Sequence, residues 1–277
     1  MSIADILVNV DSSEQSVETL RVGIEISRQF DARLSAIYPI QPLAQLPYVG
    51  ASADVVVLND LMEDQTNRME LTREKLVHQA DDKLVKLHWH SPTGSPSRLT
   101  ASSARLNDLL VVSQGDPSRY QGTVRGLNGS VLLDTGRPTL VVPYIGCRAF
   151  PFNNILVAWD GSRTATRAIN DSLPFLRLAE SVEVTTVHEH TKQETRNCNN
   201  NEDICEHLLR HGVGVKSSRL ESTDVDIGNT LLNHVADSGA NLLVIGAYGH
   251  SRAREFLLGG VTRCMLRSMT VPVLMSH

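Results

Sequence analysis

The chain has 277 residues, 41% of them hydrophobic, with a formal net charge of −5 and a pI near 6.1. That length holds one large domain or two ordinary ones, and an acidic balance without any basic run argues against nucleic acid as a partner. No charged start leads into an apolar h-region and no uninterrupted apolar run reaches about 18 residues, so secretion and a membrane partner are not expected and the cytoplasm is. Taken in order, Ala4 to Asp11 reads as a strand, and Ser12 or Ser13 N-caps a helix whose Val17, Leu20, Ile24 and Ser27 keep helical spacing. Leu34 to Tyr38 follows as a second strand, completing a βαβ unit. Residues 41–60 read as a loop, and Leu61 to His88 as a helix with a partial apolar stripe. A short helix near Leu99 to Arg105, a buried strand at Leu109 to Val112, a helix over Val131 to Thr135 and a strand at Arg137 to Pro143 close the first half.

Residues 144–151, with Gly146, Arg148 and Pro151, read as a linker, after which the pattern starts again. Asn154-Ile155-Leu156-Val157-Ala158-Trp159-Asp160-Gly161-Ser162 repeats the pattern of Asp5 to Ser13, and Thr270 to Met275 repeats that of Arg137 to Val142. The repeat predicts two tandem domains, 1–145 and 152–277. The second half runs through a helix over Thr164 to Leu178 containing Pro174, a strand Val182 to His188, a helix Ile204 to His211, a strand Val213 to Leu220 and a helix Ile227 to Ser238. Alternating strands and helices, five strands per half, predict a doubly wound parallel α/β sheet in each, with ligands expected at the carboxyl ends of its strands.

The four cysteines, Cys147, Cys198, Cys205 and Cys264, are too irregularly spaced for a disulfide framework. His188, Glu189, His190, Cys198, Cys205, His207 and His211 are zinc-competent residues. Their spacing fits no zinc pattern, and solvated or core-edge histidines account for them, so no metal site is expected.

The most informative stretch comes last. Asn241-Leu242-Leu243-Val244-Ile245 is a buried strand that stops at Gly246; Gly249 follows, and Gly259-Gly260 opens a helix running through Met269. A helix start of this kind presents unpaired N–H groups and the positive end of the dipole to an anion. The glycines match neither the Walker A loop nor the dinucleotide fingerprint. Gly246-x-x-Gly249, nine residues and Gly259 resembles the glycine signature of the nucleotide-binding universal stress proteins, in which a Ser or Thr follows the third glycine; here that position is Gly260.

The resemblance covers nearly the whole chain and implies two adenine nucleotide α-hydrolase-like domains. It implies a cytoplasmic stress-response protein that binds ATP or another adenine nucleotide, with magnesium as a companion ion, in its C-terminal half. By that resemblance Asp160 bonds the sugar or adenine, Ala158 and Trp159 line the base, and Val187 packs on it. Gly246, Gly249, His250, Gly259, Gly260, Val261 and Thr262 face the phosphates. Plain structural roles stand beside these: an aspartate at 160 also N-caps a helix, and Trp159 and Val187 also fill a core. The first half keeps Asp11 but not the glycine spacing, so one site is expected. With no Walker lysine and no pair of metal-binding carboxylates, no catalytic residue is assigned. In the family the last strand often pairs across an interface. Leu140-Val141-Val142 and Val273-Leu274-Met275 would do so within one chain, giving an intrachain pseudo-dimer, with a homodimer as a further option.

Overall fold

A computed structural model describes residues 2–42, 55–115, 127–189, 201–222, 226–247 and 259–277. The first half contributes β1 (Asp5–Asn9), α1 (Gln15–Phe30), β2 (Arg33–Ile37), α2 (Val55–Asp81), β3 (Leu87–His90), α3 (Pro96–Ala104), β4 (Leu109–Ser113), α4 (Leu127–Asp134) and β5 (Thr139–Val142). The second contributes β6 (Asn154–Ala158), α5 (Arg163–Leu176), β7 (Ser181–Glu189), α6 (Asn201–Arg210), β8 (Val215–Ser222), α7 (Ile227–Ser238), β9 (Leu242–Gly246), α8 (Gly260–Ser268) and β10 (Val273–Ser276).

The strands form one ten-stranded sheet in the order β3-β2-β1-β4-β5-β10-β9-β6-β7-β8. Each half has the same internal order, and every pairing within a half is parallel. The halves meet through β5 and β10, which pair antiparallel with Val141 opposite Val273 and Leu140 opposite Leu274.

Alternation along the strands sorts the core into two layers. Ile6, Val8, Leu140, Ile155, Val157, Val244 and Leu274 face one side, where α1, α2, α5 and α6 pack. Leu7, Val141, Leu156, Leu243, Ile245, Val273 and Met275 face the other, against α3, α4, α7 and α8. Both layers run across the seam. On the first side Phe30 meets Phe175 edge-on with ring centroids 5.2 Å apart, and Arg167 donates to the Gly136 carbonyl. On the second, Gln114 is 3% exposed and links the halves by its amide. Its Nε2 donates to the carbonyl of Leu266 in the last turn of α8 (3.0 Å), and its Oε1 accepts from the Tyr144 N–H (2.8 Å).

Several readings change in the structure. Helix α1 is capped at Glu14 with no side-chain hydrogen bond, and not by Ser12 or Ser13. The long helix ends at Asp81, because Leu84 adopts a left-handed φ of 58°, and Leu87–His90 forms the edge strand β3 instead of a helix end. Its residues are half-buried or exposed, so they lack the apolar run that marks the inner strands. The same helix starts at Val55, inside what reads as loop. At the opposite edge β8 carries exposed Lys216, Ser217, Arg219 and Glu221.

Truncating Gln114 leaves a buried carbonyl at the end of α8 and a partly buried N–H at the seam without partners. Gln114→Ala is expected to cost about 1–3 kcal/mol, seen as a lower midpoint with an unchanged slope in urea unfolding.

Candidate functional site

The winding of the second half reverses between β6 and β9, which neighbour each other while their following helices lie on opposite faces of the sheet. At the end of β6 the Trp159 N–H continues the ladder to the Thr185 carbonyl at 2.8 Å. The chain then turns through Gly161 at a φ of 72°. Asp160 Oδ1 accepts from the Ser162 N–H at 2.9 Å, and Ser162 caps α5 by accepting from the Ala165 N–H at 3.1 Å. Asp160 thus braces the turn before the helix, and the N-cap role that its sequence position also allowed falls to Ser162 instead.

Gly246 ends β9 against that same helix start. A Cβ placed there would lie 2.4 Å from the Ala165 backbone nitrogen and 2.6 Å from the Thr164 carbonyl carbon. The close approach made possible by this glycine is to the backbone of α5. Gly260 is different. It is the first residue of α8, preceded by Gly259 at the cap without a side-chain hydrogen bond, and a Cβ there would meet nothing within 4 Å. Val261 is half-buried against the second core layer, and Thr262 is 2% exposed. Among the described residues there is therefore room for a side chain at Gly260, while the Thr262 side chain lies in the interior. Gly249 and His250, with Arg252 and Arg254, lie outside the described residues.

Ala158 and Val187 share the second layer, whereas the Trp159 ring packs on the first. The structure thus brings Ala158 and Val187 together on one face and sends Trp159 to the other. Two buried polar atoms near this end of the sheet have no partner among the described residues: Trp159 Nε1 and Thr185 Oγ1. A buried hydroxyl in that condition costs about 1–3 kcal/mol. Nothing in the spacing of the sequence singles Thr185 out.

Deeper along β7, Glu183 Oε1 accepts from Ser218 Oγ at 2.5 Å and lies 2.7 Å from His234 Nε2 of α7. Burial pushes the Glu183 carboxyl up, but the hydrogen bonds from Ser218 and His234, aided by the charges of His234 and Lys216, outweigh it and hold it below the ordinary carboxylate value. This group fastens α7 to the sheet.

The first half closes the equivalent space. Asp11 Oδ1 accepts from the Ser13 N–H (2.9 Å) and the Ser16 hydroxyl (3.0 Å), and Asn9 Nδ2 donates to Thr100 Oγ1 at 2.9 Å inside the core. Ser113 ends β4 where Gly246 ends β9. Of the zinc-competent residues, His190 and Cys198 lie outside the described residues. Among the described residues no group of three or more His, Cys, Asp or Glu is placed to hold a metal. His207 and His211 lie ring to ring at 4.5 Å, and Cys205 packs on the first core layer.

Residues 151–277 match the model of the Universal stress protein family. This half of the chain belongs to that family. The universal stress protein YxiE of Bacillus subtilis (strain 168) is 29% identical over 145 residues, covering 44% of this chain and 97% of that protein. The crystal structure of a universal stress protein from Archaeoglobus fulgidus DSM 4304 superimposes with a TM-score of 0.77, covering 98% of this chain and 97% of its own. At 16% identity that likeness is one of fold, and it extends over both halves. Among the described residues of this universal stress protein fold, no helix is long and apolar enough to cross a membrane.

The two glycines of the universal stress protein domain separate by substitution. Gly246→Ala drives a methyl into the α5 backbone and is expected to cost about 2 kcal/mol or more, whereas Gly260→Ala should be neutral or stabilising by up to about 1 kcal/mol; thermal unfolding without ligand reads both. Because the Glu183 pKa is depressed in the folded state, its contribution is present at neutral pH and is lost as pH falls through the carboxylate range. Glu183→Gln should therefore lower the urea midpoint at pH 7, with the gap to the native chain closing in acid.

Proposed function

We propose that this chain is a stress-response protein that binds ATP or a related adenine nucleotide at the carboxyl ends of β6, β7 and β9, as a regulatory or signalling module in the cytoplasm. The observation that carries this reading is the start of α8, where Gly259 and Gly260 open a helix next to the strand pair at which the winding reverses, and a Cβ on Gly260 would meet nothing among the described residues. The retained spacing of Gly246, Gly249 and Gly259 supports it. In this arrangement the N–H groups of Gly260, Val261 and Thr262, with Gly249 and His250, hold the phosphates and any magnesium ion that accompanies them. Gly246 shapes the floor, Asp160 bonds the sugar, Ala158 and Val187 pack on the base, and Trp159 backs the end of β6 from the other face. Residues 1–145 and 152–277 act as tandem universal stress protein domains joined through β5 and β10 as a pseudo-dimer, with the first serving as a structural or regulatory partner. A second reading has the chain acting through protein contacts without a nucleotide, and Gly260 in place of a hydroxyl residue favours it.

Calorimetric titration of ATP into nucleotide-stripped protein separates the two. The nucleotide reading expects one saturable site per chain, weakened in Asp160→Ala. Gly260→Ser, which sets a hydroxyl into open space beside the phosphates, should tighten binding about tenfold. No heat of binding up to millimolar ATP, for the native chain and for Gly260→Ser alike, would abandon the nucleotide and favour protein partners.

A further inference from the structure

We propose that the Thr185 hydroxyl hydrogen-bonds the base of the nucleotide and so contributes to its selection. This deepens the nucleotide reading above and rests on it. Thr185 is fully buried, yet among the described residues its Oγ1 has no hydrogen-bond partner. Its neighbour Thr186, turned to the other side of β7, is satisfied by Asn201, so along this strand the unanswered hydroxyl is the one on the face shared with Ala158 and Val187.

The internal repeat shows what that position does when no ligand is served. Asn9 pairs in register with Ile37 in the first half, as Ala158 does with Thr185 in the second. There Ile37 fills the space with an apolar side chain at 1% exposure, and the Asn9 amide is consumed by Thr100, the fifth residue of α3. In the second half all three positions change: Ala158 has no polar group, Leu231 is the fifth residue of α7, and a hydroxyl stands where Ile37 stood. At this one position, the half that keeps the glycine spacing has an unanswered hydroxyl where the other half has an isoleucine.

Distance along the sheet fits a base. With phosphates at the end of β9, the strand order β9-β6-β7 sets Thr185 two strands away, roughly 10 Å, the reach from a nucleotide's phosphates to its base. Ala158 and Val187 are only partly buried, and a base pressing in between them reaches the hydroxyl below.

The test is ATP titration of the native chain, Thr185→Val and Thr185→Ser, with thermal unfolding of each without ligand. Valine has nearly the shape of threonine and cannot hydrogen-bond. The expected result is an affinity about three- to tenfold weaker in Thr185→Val, kept within about twofold in Thr185→Ser, with the melting temperature of the valine variant unchanged or raised. Equal ATP affinity in native and valine chains overturns the inference and leaves the nucleotide reading standing. An equal loss in the serine variant, or a loss that follows a fall in melting temperature, overturns it too. A native chain that binds no ATP overturns both together.

Discussion

The antiparallel pairing of β5 with β10 is the contact on which the rest of this architecture depends. Both strands are buried along their whole length, and each would otherwise be the apolar edge of a five-stranded sheet. An edge of that kind is a template for uncontrolled pairing. Joined, they make the two sheets one and let both core layers run through the middle of the molecule. Leu140, Val141, Val273 and Leu274 are each fully buried there, every one contributing about 1.5–3 kcal/mol relative to an exposed position. The Phe30–Phe175 contact and the Gln114 amide then fix the helices over the seam from opposite faces.

Within that frame the halves share topology and diverge in detail at the strand ends. The first half spends its polar groups on itself, through the Asp11 turn and the buried Asn9–Thr100 bond. The second has a glycine-opened helix start and, at the paired ends of β6 and β7, a Thr185 hydroxyl without a partner among the described residues. The register of β1 with β2 matches that of β6 with β7, while element lengths differ, α2 having 27 residues and α6 having 10.

Much of the fold was legible because parallel strands buried on both faces read as unbroken apolar runs. Leu109 to Val112 and Leu242 to Ile245 announce themselves this way, and the repeat of the Asp5 segment at Asn154 predicts the duplication. The edge strand at Leu87–His90 escaped, since half-exposed residues carry no such run and the preceding helix ends at the backbone of Leu84, not at a glycine or proline. The valines at the start of α2 hid a helix behind strand-forming side chains. At the site, spacing located the glycines and left their purposes open: Gly246 meets the backbone of α5 while Gly260 meets open space, and both look alike in one dimension. The orphan state of Thr185 is a relation with what is missing around it in space, and the Gln114 contact spans 152 residues. Neither has a local signature.

The outer edges carry a different lesson from the seam. Strand β3 is four residues long with His90 exposed at its end, and β8 displays Lys216, Arg219 and Glu221. Short length and outward charge both discourage another strand from adding. Sheet growth is therefore terminated at either side: the one adhesive edge of each half has been used up on the other. Contacts that leave the sheet ten strands wide are thereby favoured over contacts that extend it.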